Sequence, residues 1–207
     1  MIDCRHLSMN TVTVMRDVPA ELLAQRRRIG ADRWDEVWNE VWHLVPNPGL
    51  EHQRLQIRLS TWLLTNWGRR PGHEVFPGLN VSREGLRSWT SDFRVPDIVL
   101  ITADRASRMR DTHLAGGPEV TIEIRSTGDE SDDKLGFYCE VGTDEIWIVD
   151  SHTCACEIFA NEQGKPVRRQ KGEQDWTVST FGIEMKAIER RLAIRLSGDP
   201  GSQALLP

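Results

Sequence analysis

Apolar residues recur along this chain in two rhythms. In LEHQRLQIRLSTWLLTNW, Leu55, Leu59, Trp62 and Leu63 stand at i, i+4, i+7 and i+8. That spacing predicts an amphipathic helix, and His52, one turn before Leu55, points to the same inward face. A second helix is expected over AELLAQRRR, with Pro19 in its first turn and Gly30 as its stop. Its Arg26, Arg27 and Arg28 complement the helix dipole as a solvated end. A third helix is expected over TGDESDDKLGFYCEVG, where Lys134, Leu135 and Tyr138 fall on helical steps before Gly142.

The other rhythm is the short apolar run bounded by turn residues. RVPDIVLI, EVTIEIRS and EIWIVD read as buried strands, and HEVFPGLNVS reads as a strand interrupted at Pro77-Gly78. CACEIFA with PVRRQKG reads as an edge hairpin. Trp34, Val37, Trp38, Val41 and Trp42 fit helical spacing, but the same stretch also reads as two strands around Asn39-Glu40, and the hairpin is the preferred reading. Residues 82–92 are a polar connection and 102–118 a loop or short helix. IEMKAIERRLAIRL is amphipathic and is expected as a short strand leading into a helix.

Strands and helices alternate through the middle, with a hairpin towards each end. The expected fold class is therefore α/β (α+β), a mixed β-sheet flanked by helices. No internal repeat or second-domain boundary is visible. The division expected is a lead-in over 1–16, one domain over 17–197 and a tail over 198–207. A chain of 207 residues can bury a sizeable core. No run approaches 18 apolar residues and the N-terminal segment lacks an apolar leader core, so no membrane partner and a cytoplasmic setting are expected. Cys4, Cys139, Cys154 and Cys156 form no CxxC pair; Cys154 and Cys156 read as small hydrophobes on one strand face. The formal charge of −5 excludes a global basic field, so any nucleic-acid contact must be local. All the bases except Lys134, Lys165, Lys171 and Lys186 are arginine, the better bidentate phosphate ligand, but a compositional bias is the preferred explanation.

The chemistry concentrates between Arg94 and Asp150. Asp97 interrupts an apolar strand, and Glu123 interrupts another. An unpaired buried carboxylate costs several kcal/mol, so acids in such runs need a reason. If the two strands are neighbours, their carboxylates converge at a spacing suited to one Mg²⁺ or Mn²⁺, which favour hard oxygen ligands and retained waters. Such an ion polarises a phosphoryl group and activates water. Lys134 is the better candidate for an assisting cation, because a lysine can shift its pKa when desolvated. Arg125, which shares the face of Glu123, stays charged and acts only electrostatically. The plain alternative is an ordinary ion pair between Glu123 and Arg125 or Lys134, with Asp97 capping a turn after Pro96.

The ordered set N39-E-V, His52 opening a helix, VPDIVLI, TIEIRS and DDKLGFYCEVGTDEIWIVD resembles the PD-(D/E)xK nuclease superfamily, and within it the Uma2 family (DUF820). The resemblance covers about residues 20–185. It implies a restriction-endonuclease-like core and a metal site of Asp97 and Glu123, with Glu40 as an additional acid. The strict superfamily motif places lysine where this chain has Arg125, and the resemblance implies that Lys134 substitutes. Asn39 and Thr143 depart from the family's usual Gly and Val without touching the expected ligands. The function implied is Mg²⁺-dependent (or Mn²⁺-dependent) hydrolysis of DNA phosphodiester bonds, with His52 and Glu40 in support. The alternative is a catalytically silent nucleic-acid or protein-binding module on the same fold, as a homodimer through an edge hairpin such as CACEIFA.

Overall fold

Period-2 patterning dominates the folded chain, as seen in a computed structural model that describes residues 12–207. In chain order the elements are β1 (Thr13–Met15), α1 (Ala20–Ile29), β2 (Glu36–Trp38), β3 (Val41–Leu44), α2 (Leu50–Asn66), β4 (Glu74–Pro77) and β5 (Asn80–Ser82). Then follow β6 (Phe93–Arg94), β7 (Ile98–Ile101), β8 (His113–Ala115), β9 (Val120–Arg125), α3 (Leu135–Glu140) and β10 (Glu145–Asp150). The chain closes with β11 (Cys156–Glu162), β12 (Lys165–Arg168), β13 (Thr177–Val178), β14 (Ile183–Ile188), β15 (Arg191–Leu196) and β16 (Asp199–Leu206).

Three sheets result. The N-terminal sheet runs β1-β3-β2-β6-β5-β8, the central sheet β12-β11-β10-β9-β7-β4, and the C-terminal sheet β13-β14-β15-β16. Strands β9 and β10 are parallel and joined through α3; β7 lies antiparallel to β9 on its other side. The central sheet is thus mixed, as expected.

Alternation along β9 divides the core. Val120, Ile122 and Ile124 pack with Leu55, Leu59 and Leu63 of α2 and with Met185 and Ile194 of the C-terminal sheet. On the opposite face, Val99, Ile101 and Ile146 pack with Phe137 and Tyr138 of α3 and with Val81 and Leu114 of the N-terminal sheet. Burying each such aliphatic side chain contributes about 1.5–3 kcal/mol. The central sheet is therefore covered on both faces.

Several expectations change. Thr13–Met15, expected within a lead-in, is a strand paired with β3; residues 1–11 lie outside the described residues. Pro19 stands at the N-cap of α1, and Gly30 stops the helix in the left-handed region at φ 69°. Arg26 is not a solvated helix end: it bonds Asp35 at 2.7 Å and the Val45 carbonyl at 2.8 Å. The hairpin over 36–44 forms, with Asn39 and Glu40 both at positive φ in its two-residue turn. The segment expected to enter a helix is a second hairpin, β14–β15, turning at Glu189 and Arg190 with positive φ. The stretch read as a tail contributes β16, whose Leu206 is buried in the core. Cys156 opens β11, but Cys154 sits in the preceding turn at φ 57°.

RVPDIVLI is two strands rather than one. β6 belongs to the N-terminal sheet and β7 to the central sheet, with Val95-Pro96-Asp97 crossing between them. Pro96 has no N–H to offer either ladder, so pairing stops there. β4 and β5 make the same crossing at Gly78, whose N–H donates to the Asp97 carbonyl at 3.1 Å. Asp97 therefore stands at the seam between two sheets.

Candidate active site

Two neighbouring strands present the acids. Ile98 pairs with Ile122, so the start of β7 lies beside the middle of β9. Asp97, just ahead of β7, and Glu123 are 7% and 3% exposed. Asp97 Oδ2 accepts the Ile124 backbone N–H at 2.7 Å and lies 3.1 Å from His52 Nε2. A hydrogen bond from His52 to this carboxylate oxygen requires the imidazole proton on Nε2. His52 Nδ1 is buried without a partner. Asp97 Oδ1 accepts no hydrogen bond from the described residues.

Glu123 is held from α3 and the turn before it. Tyr138 Oη donates to Oε1 at 2.5 Å, and Lys134 Nζ lies 3.2 Å from Oε2. The same ammonium stands 2.8 Å from Glu36 Oε1. Glu36 opens β2 and also accepts the Val95 N–H at 2.8 Å and Trp38 Nε1 at 2.7 Å. Two buried carboxylates thus share one lysine, with Asp97 nearby.

This crowding sets the electrostatics. Burial pushes the Glu123 carboxyl up to about 8; Lys134 pulls it down, and Asp97 and Glu36 add to the rise. Burial works against the Lys134 charge, but Glu123 and Glu36 outweigh it and raise the ammonium above its ordinary value. Lysine here is a fixed cation and donor, not the proton acceptor that a desolvated lysine could become. Burial likewise raises the Tyr138 phenol well above its usual range, keeping it a neutral donor.

The cluster faces a cleft of about 250 Å³ whose walls include Glu36, His52, Asp97, Glu123, Ser126 and Lys134. Among the described residues no set of three His, Cys, Asp or Glu side chains is arranged as a metal shell. The donors present nevertheless fit Mg²⁺ or Mn²⁺. These ions need only one or two carboxylates beside water and phosphate oxygens. Asp97 offers an unengaged oxygen, and the crowding of acids that pushes the Glu123 carboxyl up is what a bound cation would relieve.

Of the residues expected from sequence, Asp97, Glu123, Lys134 and His52 come together. Glu40 does not: it is exposed at the tip of the β2–β3 turn, and the acid that reaches the cleft from this hairpin is Glu36. Arg125 does not join them either. It stands two residues, roughly 6.6 Å, beyond Glu123 along the strand, where Asp132 at 2.7 Å and Glu157 at 3.2 Å engage it. Sequence reasoning passed over Glu36 and Tyr138. The signal for Glu36 was available: an acid preceding Val37 and Trp38 in a strand-like run has no packing reason to be there. Tyr138 carried the helical spacing of Lys134 but no mark of its partner.

The Uma2 family profile, described as "Putative restriction endonuclease", matches residues 21–189. Among solved structures, a protein described as a putative nuclease belonging to DUF820, from Anabaena variabilis, is similar in fold. It shares 18% identity over 71% of this chain and 82% of its own, with a TM-score of 0.56. No curated protein matches. The mixed α+β architecture is thus that of a restriction-endonuclease-like nuclease fold.

Proposed function

Because the chain belongs to the Uma2 family of putative restriction endonucleases, we propose that it is a Mg²⁺- or Mn²⁺-dependent endonuclease hydrolysing DNA phosphodiester bonds at the Asp97–Glu123 cleft. One observation carries the reading: two buried acids on adjacent strands face one cleft, with a held lysine between Glu123 and Glu36. Asp97 and Glu123 would hold the metal, which would supply Lewis acidity at the phosphoryl group and acidify its water.

The chain's own groups do the positioning. The Ile124 N–H and His52 fix Asp97 Oδ2 and leave Oδ1 directed to other work. Tyr138 and Lys134 fix Glu123. Lys134, held charged, stabilises negative charge developing on a phosphoryl oxygen and orients the attacking water. In this role its permanent proton is an advantage, since the group must donate throughout the reaction.

Asp97→Ala and Glu123→Ala should each lower metal-dependent cleavage of duplex DNA by at least about a hundredfold, with an unchanged circular dichroism spectrum. Cleavage at the parent rate in both variants would refute the site. The closed network around Glu123, in which both its oxygens already accept protein donors, favours one other reading: a catalytically silent binding module. Calorimetric titration with Mn²⁺ separates the two, since a silent scaffold shows no binding that Asp97→Ala removes.

A further inference from the structure

A second and larger depression lies beside the cleft, about 620 Å³ in volume, and shares Trp34, Asn47 and Pro48 with it as common walls. Its opposite wall is one face of α2: Gln53, Gln56, Ile57 and Ser60 stand at i, i+3, i+4 and i+7. These positions flank the buried stripe of α2, and no periodicity argument would single them out. Ile57 is 64% exposed, unusual for an isoleucine in mid-helix.

The polar groups of this groove are oriented and partly unused. Gln56 Nε2 donates to the Asp97 carbonyl at 2.9 Å, and Gln53 Nε2 donates to the Pro48 carbonyl at 2.7 Å. A carbonyl can only accept, so both amides are fixed with nitrogen towards the protein. Each then keeps an Oε1 acceptor that no described residue engages. Ser60 Oγ is buried without a partner, and the exposed Arg33 makes no ion pair with the described residues. Trp34, on the shared wall, approaches Gly78 so closely that a Cβ there would lie 3.3 Å from its ring.

An indole wall with carboxamide acceptors and a guanidinium among the lining residues is the chemistry that recognises a nucleobase. Its volume lies in the range of small-molecule sites. We propose that this groove seats the base of a nucleotide flanking the phosphodiester at Asp97 and Glu123. The position of that nucleotide relative to the cut rests on the endonuclease reading above; base recognition itself does not. The two acceptors specify the ligand further. Adenine, cytosine and guanine each carry an exocyclic amine and so present at least two N–H hydrogens to a pair of acceptors, whereas thymine presents only its ring N3–H. The groove therefore favours amino-bearing bases. Gln56 adds a link between the two sites, because the amide that borders the base also bonds the backbone of a metal-site residue.

The test uses the full chain with 2′-deoxyadenosine, 2′-deoxycytidine, 2′-deoxyguanosine and thymidine, titrated by ligand-observed NMR. The amino-bearing nucleosides should bind about tenfold more tightly than thymidine. Gln53→Met combined with Arg33→Ala should abolish that preference, while Asp97→Asn should preserve it. Both changed groove residues are exposed, so folding is not at stake. Indiscriminate binding of all four, or a preference untouched by the double variant, would overturn the proposal. In parallel, the parent protein is incubated with random-sequence DNA and Mg²⁺. Base preference without cleavage sinks the endonuclease reading and leaves base recognition intact. Cleavage whose products show no bias towards an amino-bearing base at a fixed distance from the cut sinks the groove.

Discussion

Glu123 and Glu145 are buried glutamates on adjacent parallel strands, 3% and 1% exposed, and they have opposite surroundings. Glu145 accepts from Trp147 Nε1, Ser179 Oγ, and the N–H and hydroxyl of Thr180 at 2.6–3.0 Å, with Arg169 also at 3.0 Å. Ser179 and Thr180 lie between β13 and β14, so this carboxylate fastens the C-terminal sheet to the central one. Every one of these donors converges on it, and among the described residues no other acid shares them. Glu123 has two donors, and one of them, Lys134, is shared with Glu36 while Asp97 stands nearby. A buried acid placed for structure collects donors. A buried acid placed for chemistry has fewer donors, shares one of them, and stands close to its own kind, a crowding that a cation would relieve.

The sharpest way to break this contrast is to remove both acids in turn. Glu123→Ala should nearly abolish metal-dependent cleavage while lowering the melting temperature less than Glu145→Ala, because it strands only Tyr138 and one contact of Lys134 and relieves the crowding with Glu36 and Asp97. Glu145→Ala should do the reverse. Stranding its donors costs about 3–5 kcal/mol, which in a chain of this length lowers the melting temperature by roughly 6–20 °C. Mn²⁺ binding should survive in the folded fraction. If Glu145→Ala lost the metal and Glu123→Ala lost the fold, the two roles would have to be exchanged.

Lys134→Ala comes next in size. It removes the ammonium shared by Glu36 and Glu123, so cleavage should fall by about tenfold or more. Mn²⁺ should bind at least as tightly as in the parent, because its competitor for carboxylate oxygens is gone. Weaker Mn²⁺ binding in this variant would show that the lysine builds the metal site instead of sharing it.

What the sequence made legible follows from how local each signal is. Leu55, Leu59, Trp62 and Leu63 announce α2 because a helix buries its own stripe, and Asp97 and Glu123 stand out because acids are rare in apolar runs. The β14–β15 hairpin was misread because its turn, Glu189-Arg190, adopts positive φ without the glycine that usually announces it. β16 was misread because Asp199, Pro200 and Gly201 look like a terminus, and only pairing with β15 makes them a strand. Arg125 was placed at the site by strand parity, which gives the face of a side chain but not its neighbours. Glu157 on β11, more than thirty residues away, decides where that guanidinium goes.

The smallest predicted effect tests the parity argument at its weakest point, the β2–β3 hairpin. Its two glutamates lie four residues apart, and the resemblance singled out Glu40. The turn residues Asn39 and Glu40 both need positive φ, which carries Glu40 to the exposed tip, while Glu36 opens β2 and turns into the cleft. Glu40→Ala should therefore leave cleavage, Mn²⁺ affinity and stability within about 0.5 kcal/mol of the parent. Glu36→Gln keeps the size of the side chain and removes one of the two anions that hold Lys134. It should lower cleavage by several-fold, with the loss in turnover rather than in metal binding. A measurable defect in Glu40→Ala beside a silent Glu36→Gln would mean that the hairpin register places the wrong acid at the cleft.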